Sequence, residues 1–102
     1  MSTVLYIEDH QDSMKLVQRV VKAIGHELIW AGSGLDGLAL AESARPDLIL
    51  LDLNLPDLHG YDIANQLRIH PQLCTTPIII LTANALAGEE ERGLAAGADT
   101  FL

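Results

Sequence analysis

Acidic side chains follow two short apolar runs of this chain, and a hydroxyl follows a third. The acids are Glu8 and Asp9 after the first run and Asp52 after the second, and the hydroxyl is that of Thr82. Runs this short and apolar are typical of parallel strands buried on both faces, and parallel strands place their carboxyl ends at one edge of the sheet. The sequence therefore predicts that these four side chains converge at the edge where open α/β proteins bind ligands.

Carboxylates brought this close together suggest a cation site. Their mutual repulsion would raise their proton affinity unless a divalent cation were present. Mg²⁺ takes oxygen ligands, commonly one or two carboxylates with waters and a phosphate oxygen, which leaves room for a phosphoryl group. Asp52 is then the candidate nucleophile, and Thr82 is placed to hydrogen-bond a phosphoryl oxygen.

Alternating strand and helix patterns must position these groups. The patterns predict strands over residues 4–7, 27–31, 47–51, 77–81 and 100–102, and helices over 12–24, 35–44, 60–69 and 87–96. Right-handed crossovers between such units give a parallel sheet that is covered by helices on both faces. The predicted fold class is therefore a doubly wound α/β domain.

The ends of three predicted helices carry sequence signals. Asp12 or Ser13 can cap the start of the first helix, and Gly25 can end it. Pro46 and Pro71 are expected to close the second and third helices, because the residue before a proline avoids helical geometry.

Size and composition limit the classes of function. The chain has 102 residues and is 49% hydrophobic, which suits the core of one small domain. A formal net charge of −8 disfavours DNA or an anionic membrane as a partner and suits a site that attracts a metal cation. The single cysteine, Cys74, and the lack of a basic, apolar leader predict a reduced, cytoplasmic setting. No stretch approaches the roughly 18 consecutive apolar residues that a membrane span requires.

The motifs together resemble those of response regulator receiver domains. They are the acidic pair Glu8-Asp9, the segment DLNLPDLHG that starts at Asp52, the pair Thr82-Ala83, and the segment AGAD over residues 96–99. The resemblance spans essentially the whole chain and implies an open, flavodoxin-like parallel sheet of strand order 2-1-3-4-5. It also implies that Asp52 accepts a phosphoryl group from a phosphohistidine on a sensor kinase or phosphotransfer protein. Such a domain is a switch, not an enzyme that acts on a separate substrate.

The resemblance implies a role for each residue of the site. Asp9 and Asp52 would bind Mg²⁺ directly, and Glu8 would usually bind it through water. The main-chain carbonyl of Asn54 would be a further metal ligand. The hydroxyl of Thr82 would move toward the phosphoryl group. Phe101 stands at the position of the switch aromatic, which changes its packing on phosphorylation.

The end of the sequence departs from the receiver pattern. Receivers carry a lysine at the end of the fifth strand, which would fall two residues beyond Leu102, and Lys15 and Lys22 on the first helix cannot replace it. The last helix of the family is absent as well. We therefore expect residues 1–102 to be a receiver domain that lacks the end of its fifth strand and its last helix. Further chain, a partner or self-association would then cover the exposed sheet face.

Three other interpretations are open at this point. A pseudo-receiver would share the fold without taking up phosphate, and the missing lysine keeps that interpretation open. A haloacid dehalogenase-like phosphatase would also use an aspartate and Mg²⁺, but it would want an acid where Asn54 stands. The stretch GSGLDG over residues 32–37 fits a dinucleotide-binding pattern, yet a complete strand-helix unit precedes it, no room remains for a substrate domain, and ordinary loop and helix-cap glycines explain it better.

Half of the basic residues lie on the predicted first helix. They are Lys15, Arg19 and Lys22, and their spacing puts them on its polar side. Ordinary solvation is one interpretation. The other is a docking stripe, since the first helix contacts the phosphodonor in the family that the chain resembles.

The four histidines show no spacing typical of metal ligands. They are His10, His26, His59 and His70, for which we predict exposed or loop positions. His10 differs in one respect, because it directly follows the acidic pair and could touch a phosphoryl group there.

Overall fold

A five-stranded parallel sheet with helices on both faces forms the domain. The computed structural model describes residues 2–53, 55–81 and 100–101. The strands are β1 (Thr3–Ile7), β2 (Glu27–Ala31), β3 (Leu48–Asp52), β4 (Ile78–Leu81) and β5 (Thr100–Phe101), and the helices are α1 (Gln11–Ala23), α2 (Gly34–Ala44) and α3 (Gly60–Ile69). The strand order is β2-β1-β3-β4-β5, and every pair is parallel. The predicted fold class and strand order are thus confirmed, while the helix predicted over 87–96 lies outside the described residues.

Alternation along the strands divides the core between the two sheet faces. Leu5, Ile7, Ile49 and Leu51 are fully buried on the face that α2 and α3 cover. The neighbouring strand positions turn to the other face, where Val21 of α1 packs in a second cluster with Val4, Tyr6 and Leu50. Because both faces are apolar, the polar groups of these strands are confined to their ends.

The start of α1 differs from the prediction. The helix begins at Gln11, and its N-cap residue is His10, whose side chain makes no capping hydrogen bond. Asp12 and Ser13 therefore lie inside the first turn, and the prediction that one of them caps the helix is wrong. The physical reason is that His10, the residue between the acidic pair and the helix, turns its imidazole toward the pair and not toward the first turn of the helix. Gly25 follows the helix with a φ of 85°, as its role as a terminator requires.

The ends of α2 and α3 agree with the proline signals. Helix α2 ends at Ala44, and Arg45 adopts a left-handed φ of 47° before the proline. Helix α3 ends at Ile69, and His70 is extended before the next proline. None of the helices within the described ranges has both the length and the apolar content needed to cross a bilayer.

Candidate metal and phosphoacceptor site

Two buried acids lie at neighbouring strand ends on the carboxyl edge of the sheet. Asp52 is the last residue of β3, one residue later than the predicted strand end, and Glu8 directly follows β1. Since Ile7 pairs with Leu51, Glu8 and Asp52 occupy neighbouring strand ends. Glu8 is 6% exposed and Asp52 is 8% exposed, whereas Asp9 is open to solvent. The structure therefore brings together the acids of the first and third strands.

The pKa of Tyr6 is affected by the negative charge at this edge. Its hydroxyl donates a hydrogen bond of 3.3 Å to Oε2 of Glu8. Burial raises the pKa of Tyr6 above its usual value, and the charge of Glu8, the hydrogen bond to Glu8 and the charge of Asp52 raise it further. Burying carboxylates costs free energy unless they are neutralised or paired. The carboxylate oxygens of Glu8 and Asp9, with Asp52 on the neighbouring strand end, are of the type that a hard divalent cation takes as ligands.

His10 lies against the acidic pair. Its Nδ1 atom is 3.0 Å from Oε1 of Glu8 and 3.1 Å from Oδ1 of Asp9. The hydrogen bond with Glu8 raises the pKa of His10, and the charges of Asp9 and Glu8 add to this effect. The side chain is 73% exposed, as predicted for the histidines. Potential ligand atoms of Glu8, Asp9 and His10 all lie within 4.8 Å of one another. In the sequence, the only sign of this grouping was that His10 directly follows the acidic pair.

Gly60 closes the loop that follows Asp52. Its N–H donates to the carbonyl of Leu53 at 3.0 Å, and α3 begins at this residue. A Cβ atom at Gly60 would lie 2.8 Å from the main-chain oxygen of Asp52 and 2.9 Å from Cα of Leu53. Because real Cβ atoms do not approach backbone so closely, glycine is needed for α3 to start against the strand that carries Asp52.

Asp57 in the same loop is a residue whose role the sequence did not reveal. Its carboxylate accepts hydrogen bonds from the N–H groups of Gly34 at 2.7 Å and Leu35 at 2.9 Å, at the start of α2. These bonds lower the pKa of Asp57. A negative charge at a helix N-terminus is favourable, so the contact ties the loop after Asp52 to α2. The sequence signal was only an acid after a proline, which does not specify a partner 23 residues away.

The same contact removes the basis of the dinucleotide interpretation. In that interpretation the N-terminus of the helix after the glycines would bind a phosphate, but in α2 it holds the carboxylate of Asp57. The glycines have packing roles instead. A Cβ at Gly34 would lie 2.9 Å from side-chain atoms of Leu58 and Ile63, and one at Gly37 would lie 2.6 Å from Ile7.

Three of the predicted site residues cannot be placed in full. Asn54 and Thr82 lie outside the described residues. Phe101 belongs to β5, where its main chain pairs with Ile80, and its side chain also lies outside the description. Their roles stay predictions.

The basic residues of α1 are all exposed. Lys15, Arg19 and Lys22 all face solvent, while Val17 and Val21 of the same helix pack toward the sheet. Helix α1 starts three residues after Glu8 and runs away from the acidic edge, so Lys15 lies nearest that edge and Lys22 lies in the last turn, at the far end of the helix. A docking role for them stays a prediction.

The open parallel sheet with buried acids at its carboxyl edge is typical of α/β domains that bind a ligand at that edge. Comparison with known proteins identifies the family. The sequence profile described as "Response regulator receiver domain" matches residues 4–102. The chain belongs to this family, whose members are signalling modules of two-component systems and generally not conventional enzymes.

Relatives and solved structures agree with this assignment. The polar-differentiation response regulator DivK of Brucella anthropi is 37% identical over 100 residues, which cover 98% of this chain and 81% of that protein. The chemotaxis protein CheY4 of Vibrio cholerae is 31% identical with a TM-score of 0.93, covering 100% of this chain and 85% of CheY4. The Mn²⁺-bound form of response regulator Rcp1 is 29% identical with a TM-score of 0.90, covering 100% and 80% of the two chains. The chain is thus a DivK-like receiver domain, and its family typically uses a divalent metal.

Proposed function

We propose that Asp52 is the phosphoacceptor of this receiver domain and takes a phosphoryl group from a phosphohistidine on a sensor kinase or phosphotransfer protein. The observation that carries the proposal is the burial of Asp52 at the end of β3, beside Glu8 on the neighbouring strand end. A carboxylate oxygen of Asp52 attacks phosphorus as the P–N bond breaks, and the histidine nitrogen keeps the electron pair of that bond. The product is an acyl phosphate.

The metal ligands in this proposal are Glu8, Asp9, Asp52 and the main-chain carbonyl of Asn54. Bound Mg²⁺ would neutralise charge on the carboxylates and on the incoming phosphoryl oxygens. The buried positions of Glu8 and Asp52 on neighbouring strand ends support this assignment, since a cation bound there would offset the repulsion between two acids at one edge.

The signal follows from the new charge at Asp52. Thr82 donates a hydrogen bond to the phosphoryl group and moves toward it, and Phe101 changes its packing in response. These residues suit the roles because Thr82 directly follows β4 and Phe101 lies on β5, the strand next to it. The donor protein docks beside the basic side chains of α1, namely Lys15, Arg19 and Lys22.

Intact-mass measurement after incubation with Mg²⁺ and a small acyl phosphate tests the proposal. We expect the wild type to gain the mass of one phosphoryl group and Asp52→Asn to gain none. Omission of Mg²⁺ from the wild-type reaction should abolish the gain. A folded wild type that gains no mass would contradict the proposal and favour the pseudo-receiver interpretation. Multiple-turnover release of phosphate from unrelated phosphomonoesters would instead favour the phosphatase interpretation.

A further inference from the structure

Residues of β2 bind both the main-chain N–H and the main-chain carbonyl of Glu8. Its N–H donates to the carbonyl of Ala31 at 3.0 Å, which continues the ladder between β1 and β2. Its carbonyl oxygen accepts a hydrogen bond from Nε1 of Trp30, the residue before Ala31. The first bond is ordinary sheet pairing, whereas the second comes from a side chain of the edge strand.

The bond from Trp30 acts on the segment that carries two of the proposed metal ligands. Only residues 8–10 separate β1 from α1, so regular backbone pairing ends where the acids begin. The carbonyl of Glu8 and the N–H of Asp9 belong to one planar peptide unit. Fixing the direction of that carbonyl therefore fixes the plane of the peptide unit that contains the N and Cα atoms of Asp9.

Trp30 places the N–H of its indole ring at this carbonyl. Trp30 is half-buried and lines a groove of about 570 Å³ between the end of β2 and α2, where Ala39, Leu40 and Ser43 form the other wall. The indole has a single N–H donor and no acceptor. Phenylalanine could fill much of the same space but could not make the bond to Glu8.

We infer that Trp30 is a positioning residue for the metal site. Through the carbonyl of Glu8 it holds the Glu8–Asp9 peptide in the orientation that presents both acids to the edge completed by Asp52. The inference rests on the proposed function, because the cation concerned is the one that phosphorylation requires. It assigns a role to a residue that touches neither the cation nor the phosphoryl group.

Metal titration of matched variants tests the inference. Mn²⁺ serves as the probe, because its free-ion electron paramagnetic resonance signal measures binding without using tryptophan fluorescence. We expect the Kd of Trp30→Phe to rise about 3- to 10-fold, as loss of one hydrogen bond that orients a ligand would produce. The control is Leu40→Ala, which loses packing in the same groove and should change the Kd by less than about twofold.

A second measurement needs no variant. Trp30 is the only tryptophan of the chain, so its indole N–H gives a single, assigned proton resonance. In the metal-free wild type we expect this proton to exchange with solvent more slowly than a free indole N–H. Exchange at the free rate would overturn the inference even if Trp30→Phe failed to fold.

The outcomes separate the inference from the proposed function. A folded Trp30→Phe with the wild-type Kd would overturn the inference alone, provided that the wild type binds Mn²⁺. Equal weakening in Trp30→Phe and Leu40→Ala would also overturn it, since the effect would then be general packing. A wild type that binds neither Mn²⁺ nor Mg²⁺ would overturn the proposed metal site and the inference with it.

Discussion

Replacing Gly37 by alanine should destabilise the domain although alanine is the better helix former. Gly37 lies in α2, where the change from glycine to alanine alone would stabilise by about 1 kcal/mol. The added Cβ would lie 2.6 Å from Cδ1, 2.8 Å from Cγ1 and 2.9 Å from Cγ2 of Ile7. Ile7 is 0% exposed, so its side chain cannot move aside into solvent.

The two effects oppose each other, and the steric one is larger. Forcing an extra carbon into a packed core costs about 1–3 kcal/mol, which leaves a net loss of about 1 kcal/mol in the free energy of unfolding after the gain in helix propensity. In urea this corresponds to a midpoint lowered by about 0.5–1 M. Equilibrium unfolding followed by circular dichroism would measure it.

A double-mutant cycle with Ile7 identifies the cause. Ile7→Val removes Cδ1, the atom nearest the new Cβ, at a cost of about 0.5–1.5 kcal/mol by itself. Combined with Gly37→Ala, it should destabilise by less than the sum of the single changes. Gly32→Ala is the matched control in the same glycine-rich stretch, because its Cβ would meet only Trp30, at an ordinary 3.7 Å. A Gly37→Ala protein as stable as the wild type, or strict additivity with Ile7→Val, would refute the packing argument.

Two further predictions concern charged side chains. The pKa of Asp57 is lowered by its bonds to Gly34 and Leu35, so its contribution to stability is present above the unfolded pKa and is lost as the pH falls through the folded pKa. Asp57→Asn should therefore flatten the acid limb of a stability–pH profile, and an unchanged limb would count against the contact. Arg19→Glu should slow phosphotransfer from a protein phosphodonor more than from a small acyl phosphate, whereas the control Arg45→Glu at the end of α2 should slow neither. Equal slowing of both reactions by Arg19→Glu would argue against docking on α1.

Much of the fold could be predicted from local patterns. The strand over 27–31 and the helix over 60–69 match the structure residue for residue. The first and fourth strands differ by one residue at one end, and the third is shifted by one residue at both ends. Apolar runs specify buried strands because only buried strands exclude polar residues from both faces. Boundaries were less predictable, as the start of α1 at Gln11 shows, because capping depends on where the preceding side chain turns.

The candidate site, like the fold, could be predicted from the sequence only in part. The residue types at the strand ends and the parallel arrangement together predicted that Glu8 and Asp52 would meet, because parallel strands share one carboxyl edge. The sequence could not show that Asp57 caps α2 or that Trp30 bonds to the carbonyl of Glu8. Each of these contacts joins residues 22 or 23 positions apart through a single hydrogen-bonding geometry.

The sequence by itself determined the order of strands and helices, the acids at the strand ends and the family to which they point. Only the tertiary structure decided how those acids are held: His10 against the pair, Trp30 on the carbonyl of Glu8, and Asp57 at the start of α2. The physical reason is that apolar periodicity is a property of neighbouring residues, whereas a hydrogen bond between distant residues exists only after the chain has packed.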